Sequence, residues 1–119
     1  MDKINIATII DGLMTIDDDK DKFKWEFFKE GIEISRIYAQ DNNGSACALL
    51  KYEAGAEAPL HIHTGYEHIL ILSGSQTDGV NVYKKGMLMI SEPGSQHHIF
   101  SENGCIVLAI WQAPVEFVK

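Results

Sequence analysis

Apolar and polar positions along this chain alternate with a period of two, the spacing that puts successive strand side chains on opposite faces. No stretch repeats at helical spacing over a useful length. Ile4, Ile6, Thr8 and Ile10 alternate with Asn5, Ala7 and Ile9, which predicts a first strand with one strongly apolar face and one only mildly polar. Residues 23–28 and 32–38 read as a hairpin around Lys29, Glu30 and Gly31, with Gly31 supplying the turn. The Asp41-Asn42-Asn43-Gly44 run is a strong turn signal, and residues 45–53 come next as another strand. Residues 66–73 carry Glu67, Ile69 and Ile71 on one face and Tyr66, His68, Leu70 and Leu72 on the other, so both faces are largely apolar and the strand is central. An Asp-Gly turn at Asp78 leads to short strands over 80–83 and 87–90, broken at Gly86. The apolar, β-branched run 104–112 is short enough for a buried strand, and 115–118 makes a last one. About ten short strands punctuated by glycine turns describe an all-β closed barrel or sandwich.

Size keeps this to one domain over residues 1–119, with 1–24 an arm strand and a charged loop: 119 residues that are 45% hydrophobic suffice for a single core. Seventeen acidic against ten basic residues give a net charge of −7, which argues against nucleic acid as a partner. The first ten residues lack a basic leader and no stretch approaches the ~18 apolar residues of a membrane span, so a cytoplasmic protein off the membrane is expected. Cys47 and Cys105 form no CxxC pair, in keeping with a reduced compartment. Alternating acids within residues 17–22 suggest a calcium loop, but glycine at its sixth position and glutamate at its twelfth are missing. A solvated loop is expected there.

Candidate chemistry concentrates between residues 61 and 98, where all five histidines lie. His61 and His63 share strand parity and can chelate one ion together. Glu67 has the same parity, but on a straight strand it would lie about 20 Å from His61 at about 3.3 Å per residue, far beyond a shared ion. The chain must turn at Thr64 and Gly65, so that Glu67 returns on a neighbouring strand facing the same pocket. His68 and His98 have the opposite parity and belong outside the ligand set. Cys105 is expected in the core, as free cysteines usually are, and Trp111 and Met89 read as packing residues.

Residues 55–74 resemble the first motif of the cupin superfamily, Gly-x5-His-x-His-x3-4-Glu-x6-Gly, with Gly55, His61, His63, Glu67 and Gly74 filling every fixed position. The second motif, Gly-x5-Pro-x-Gly-x2-His-x3-Asn, resembles residues 86–101, with Gly86, Gly94 and His97 in register, Glu92 in place of Pro and Ser101 in place of Asn. The Glu92–His97 turn and Gly104-Cys105 are similar to ChrR-like cupins. The resemblance implies a double-stranded β-helix, or jelly-roll, barrel over roughly residues 25–113, and it makes His97 the fourth metal ligand.

Three neutral histidines and one glutamate leave a divalent ion with one net positive charge, suited to a hydroxide or an anionic ligand. A tetrahedral zinc would be closed by these four, whereas octahedral iron, manganese or nickel would keep open positions. Two functions are open. The resemblance implies a metal-binding sensor or small-molecule-binding module of the ChrR-like type; the alternative is a cupin metalloenzyme, such as an iron-dependent dioxygenase acting on a small diketone or keto acid. The 24 residues before Trp25 hold neither Cys nor His, so the zinc-binding region with which ChrR grips its sigma factor is not expected in them. Catalytic residues beyond the ligands are not assigned, with a tyrosine, Cys105 or His98 as the nearby proton-transfer candidates. The apolar first strand and the outward Leu70 and Leu72 lead to the expectation of a homodimer.

Overall fold

A computed structural model of the chain describes residues 7–39 and 44–118. A short helix α1 (Ile16–Asp19) and a 3-10 turn (Lys20–Lys22) precede ten strands: β1 (Glu26–Lys29), β2 (Ile32–Ala39), β3 (Ala46–Tyr52), β4 (Ala56–His63), β5 (Glu67–Thr77), β6 (Val82–Lys84), β7 (Leu88–Ser91), β8 (Gln96–Ser101), β9 (Cys105–Trp111) and β10 (Val115–Phe117). All pairings are antiparallel, in the order β1-β2-β3-β9-β5-β8-β4-β10, with β6 and β7 also on β5. The sheet curls on itself as the jelly-roll barrel expected from the alternation and the resemblance. Among the described residues no helix is long and apolar enough to cross a membrane.

Every second residue points inward. Ile32, Ile34, Ala48, Leu50, Tyr52, Ile69, Ile71, Ile99, Val107 and Ala109 fill the interior, one face of each strand contributing. Two β-bulges reset the alternation where it would otherwise fail. In β5 one extra residue between Ile71 and Ser73 faces Val107 and Ile106 of β9, so the inward residues are Glu67, Ile69 and Ile71 before the bulge and Gln76 after it. In β4 the step from Ala58 to His61 spans one residue more than Ile99 to His97 on β8, which turns Ala56, Ala58, His61 and His63 all inward. Pro59 sits in that bulge, where its missing N–H costs no ladder bond.

The β5 bulge places Leu72 and Ser73 together on the outer face, and α1 docks there. Ile16, 1% exposed, packs with Leu49, Leu72 and Ile106, while the Ser73 hydroxyl donates to Asp17 Oδ1 at 2.5 Å. The charged run is therefore a helical turn and a 3-10 turn, correcting the loop expected there: Ile16 gains a buried site, and three aspartates favour the positive end of a helix. Leu72 is covered, which removes it from any dimer surface, and Leu70 packs at the edge of the same cluster. Ile16→Ala should lower stability by about 2 kcal/mol, read as a shift of the urea midpoint. An unchanged midpoint would show that α1 contributes nothing to the outer core.

Other boundaries shift for local reasons. The strand expected over 4–10 has no counterpart in residues 7–10, which carry no regular structure; its earlier residues, and residues 41–43 of the Asp-Asn-Asn-Gly turn, lie outside the described residues. The first hairpin strand starts at Glu26, because Trp25 turns its indole N–H to the Lys20 carbonyl at 2.9 Å and packs with Phe23 on the outer cluster. Gly31 takes φ +77° in the hairpin turn as expected. The strand expected from residue 80 starts at Val82, since the Asp78 carboxylate captures the N–H groups of Val80 and Asn81 at 2.9 and 2.8 Å.

Candidate metal centre

Four side chains from three strands meet inside the barrel near one end. β4 brings His61 and His63, β5 begins with Glu67, and β8 brings His97 opposite His61 in register. One ligand atom from each lies within 4.8 Å of all the others. Glu67 arrives from the facing sheet rather than from a strand next to β4: β5 pairs with β9 and β7 at this residue. The turn between His63 and Glu67 is present, but Gly65 does not use a left-handed backbone there. It is needed for close approach, since a Cβ on it would lie 3.1 Å from Ala113 and Gln112.

Each histidine of β4 is held by its outer nitrogen. His61 Nδ1–H donates to the Pro59 carbonyl at 2.8 Å, an acceptor freed by the bulge, and His63 Nδ1–H donates to the Ser95 carbonyl and hydroxyl oxygens at 3.0 Å. A carbonyl only accepts, so both Nδ1 atoms carry hydrogen and both Nε2 atoms face inward. His63 Nε2 lies 3.1 Å and His97 Nε2 3.6 Å from Glu67 Oε1. With its ring neutral, His63 Nε2 is a lone pair facing a carboxylate, an arrangement that calls for a cation between them: a proton in the bare chain, or a metal ion. The donor set, nitrogen and oxygen atoms already turned to one point, fits a divalent ion. Glu67 is oriented in turn by the Trp111 indole, which donates to Oε2 at 2.7 Å.

Electrostatics in the bare chain derive from burial and these contacts. Burial disfavours the charged form of His61 and holds its pKa below the ordinary value. For His97, burial and the neighbouring His61 press it down to about 4. At His63 burial also works downward, but the hydrogen bond and charge of Glu67 outweigh it and the pKa is raised. Glu67 is the mirror case: burial pushes it up, and His63, Trp111 and His97 bring it below the usual carboxylate value. His97 is neutral when folded and cationic when unfolded between about pH 6.5 and about pH 4, so the unfolded chain takes up more protons in that window and stability falls as pH falls through it. Equilibrium unfolding of chelator-treated protein should show this loss, reduced in His97→Gln. A profile identical in the variant would remove His97 as its source.

The remaining sequence expectations sort cleanly. His98 is exposed and pairs with Glu57 at 3.2 Å, His68 lies on the outer face, and Cys105 is 4% exposed in the core with its thiol 3.7 Å from Gln76 Oε1. Met89 packs in the interior as expected, whereas Trp111 both packs and donates to the cluster. Glu92, the departure from the second motif, serves the site through its carbonyl, which accepts the Ser95 hydroxyl at 2.5 Å. Ser101, the other departure, is fully buried and donates to the Ser75 carbonyl at 2.7 Å. Sequence reasoning missed Ser95 and the donor role of Trp111; a buried indole N–H needs an acceptor, which was the available signal.

No curated protein matches the chain in sequence. Solved structures do match in fold. A cupin-like protein of unknown function from Ralstonia eutropha is 22% identical with a TM-score of 0.68, over 75% of this chain and 60% of that one, so this chain spans less than two-thirds of its length. An acetylacetone dioxygenase from Acinetobacter johnsonii is 16% identical with a TM-score of 0.75, over 100% of this chain and 80% of that one. The anti-sigma protein ChrR of Rhodobacter sphaeroides, in complex with SigE, is 19% identical with a TM-score of 0.69, over 92% and 70%. Residues 15–114, nearly the whole chain, match the ChrR cupin-like domain, and the chain belongs to that family.

Proposed function

We propose that this chain is a divalent-metal-binding domain of the ChrR-like type that recognises a small molecule at one ion held by His61, His63, Glu67 and His97, with zinc as the ion and the small molecule joining it as a fifth ligand. The observation that carries the reading is the convergence of the four donor atoms within 4.8 Å, with the outer nitrogens of both β4 histidines already tied to carbonyls. An ion bound there supplies a Lewis acid with one net positive charge in an apolar cavity. The chain's own part is orientation: Pro59 and Ser95 hold the β4 imidazoles in one tautomer, and Trp111 leaves Glu67 Oε1 to face the ion. Elemental analysis of protein from its native host should find about one zinc per chain.

A second reading, an iron-dependent dioxygenase acting on a small diketone or keto acid, draws support from the likeness in fold to the Acinetobacter enzyme. Reconstitution with iron(II) and with zinc, followed by oxygen uptake over a panel of such compounds, separates the two. Uptake with iron alone favours the enzyme; none with either favours the sensor. In this reading the protein is a cytoplasmic homodimer. Its two cysteines are free and buried, and Leu88, Ile90 and Ile110 remain exposed on the outer sheet face. Light scattering of wild-type protein and of Ile90→Asp decides the dimer, which should dissociate in the variant.

A further inference from the structure

The barrel interior continues from the histidine–glutamate cluster to a second polar group of side chains at its far end. A cavity of about 40 Å³ runs between them, walled by Leu50, Ile69 and Val107 and bounded by Glu67 at one end and by Tyr52 and Gln76 at the other. Tyr52 and Gln76 are 7% and 3% exposed. Among the described residues the Tyr52 hydroxyl has no hydrogen-bond partner, and Gln76 uses only Oε1, which faces the Cys105 thiol. Both side chains line the cavity, and since no side-chain polar atom that is sealed off lacks a partner, the Tyr52 hydroxyl and Gln76 Nε2 are not sealed off.

Two buried donors opening on an otherwise apolar space are costly unless something accepts from them. Burial, then the nearby Cys105 and Glu67, raise the Tyr52 pKa, so its hydroxyl stays protonated and donates. No cation lines this end, which disfavours a carboxylate there and suits an uncharged oxygen. The space is short: at about 10–15 Å³ per water it admits about three waters, the room of about four heavy atoms of a ligand.

We propose that the Tyr52 hydroxyl and the Gln76 amide form a donor subsite for an uncharged acceptor oxygen, selecting small linear molecules with an anionic group at the cluster and a carbonyl at the other end. The inference rests on the metal-binding reading above for its anionic end only. It gives Gln76, which the alternation of β5 would have turned outward, a reason to be inside.

The test uses the full chain loaded with zinc and two probes matched in shape, 3-oxobutanoate and 3-methylbutanoate, each with four heavy atoms beyond its carboxylate, which differ by a carbonyl oxygen against a methyl group. Calorimetric titration should show the oxo acid bound about tenfold more tightly by the wild-type protein. Tyr52→Phe and Gln76→Leu should each erase most of that preference and leave binding of the methyl acid nearly unchanged. Zinc content and thermal midpoint, measured in both variants, confirm that cluster and fold are intact, and Tyr52→Phe alone carries the test if Gln76→Leu fails to fold. Equal affinity for the two probes in wild-type protein, or a preference that survives Tyr52→Phe, overturns the subsite and leaves the metal reading standing. Absence of zinc uptake by wild-type protein overturns the metal reading instead, and is seen before any probe is added.

Discussion

With His61 and His63 both replaced by alanine, the purified protein is expected to carry no divalent ion. A set of four protein ligands to zinc is worth about 10–16 kcal/mol, so each ligand accounts for about 3 kcal/mol and the pair for at least about a ten-thousandfold loss in affinity. His63 is 1% exposed and packs edge-on against His61 and His97, with ring centroids 5.1 and 4.5 Å away, so the double variant also loses packing. Circular dichroism therefore accompanies the elemental analysis. His98→Ala is the control: that ring is exposed and faces Glu57, and metal content should be unchanged. Full occupancy in the double variant would sink the assignment.

Gly74→Ala should cost about 3 kcal/mol of stability. The residue closes the β5 bulge at φ +71°, a backbone region that side chains disfavour, and a Cβ there would lie 2.2 Å from the Gly104 carbonyl oxygen. Backbone cannot yield as a flexible side chain would, so β5 and β9 must separate locally. Urea unfolding measures the loss; a midpoint equal to that of wild type would mean that the bulge relaxes without penalty.

The ladder of strands was legible because most of the barrel obeys one alternation, as in β9, where Cys105, Val107, Ala109 and Trp111 point inward and Ile106, Leu108 and Ile110 outward. The candidate ligands were legible for the same reason, since His61 and His63 share a parity that the structure keeps. Alternation cannot show where it is interrupted. Leu72 looked like an exposed outer residue, yet the bulge beside it creates a docking place for Ile16, a residue in a charged run with no strand pattern of its own. Gln76 escaped notice because counting in twos from Glu67 puts it outside. Backbone partners were equally invisible: Pro59 and Ser95 reach the histidines through carbonyl oxygens, which every residue has.

The alternation of β4 makes this domain sensitive to chain length in a way that composition is not. Deleting one residue between Ala58 and His61 would only remove the bulge, leaving the two residues two apart and both inward, whereas deleting Ile62 has no bulge to absorb it and would turn His63 to the opposite side of the sheet from His61. An in-frame deletion of a single codon past the bulge would thus act on the folded wall much as a frameshift acts on a message, exchanging inside for outside at each later position up to the next turn.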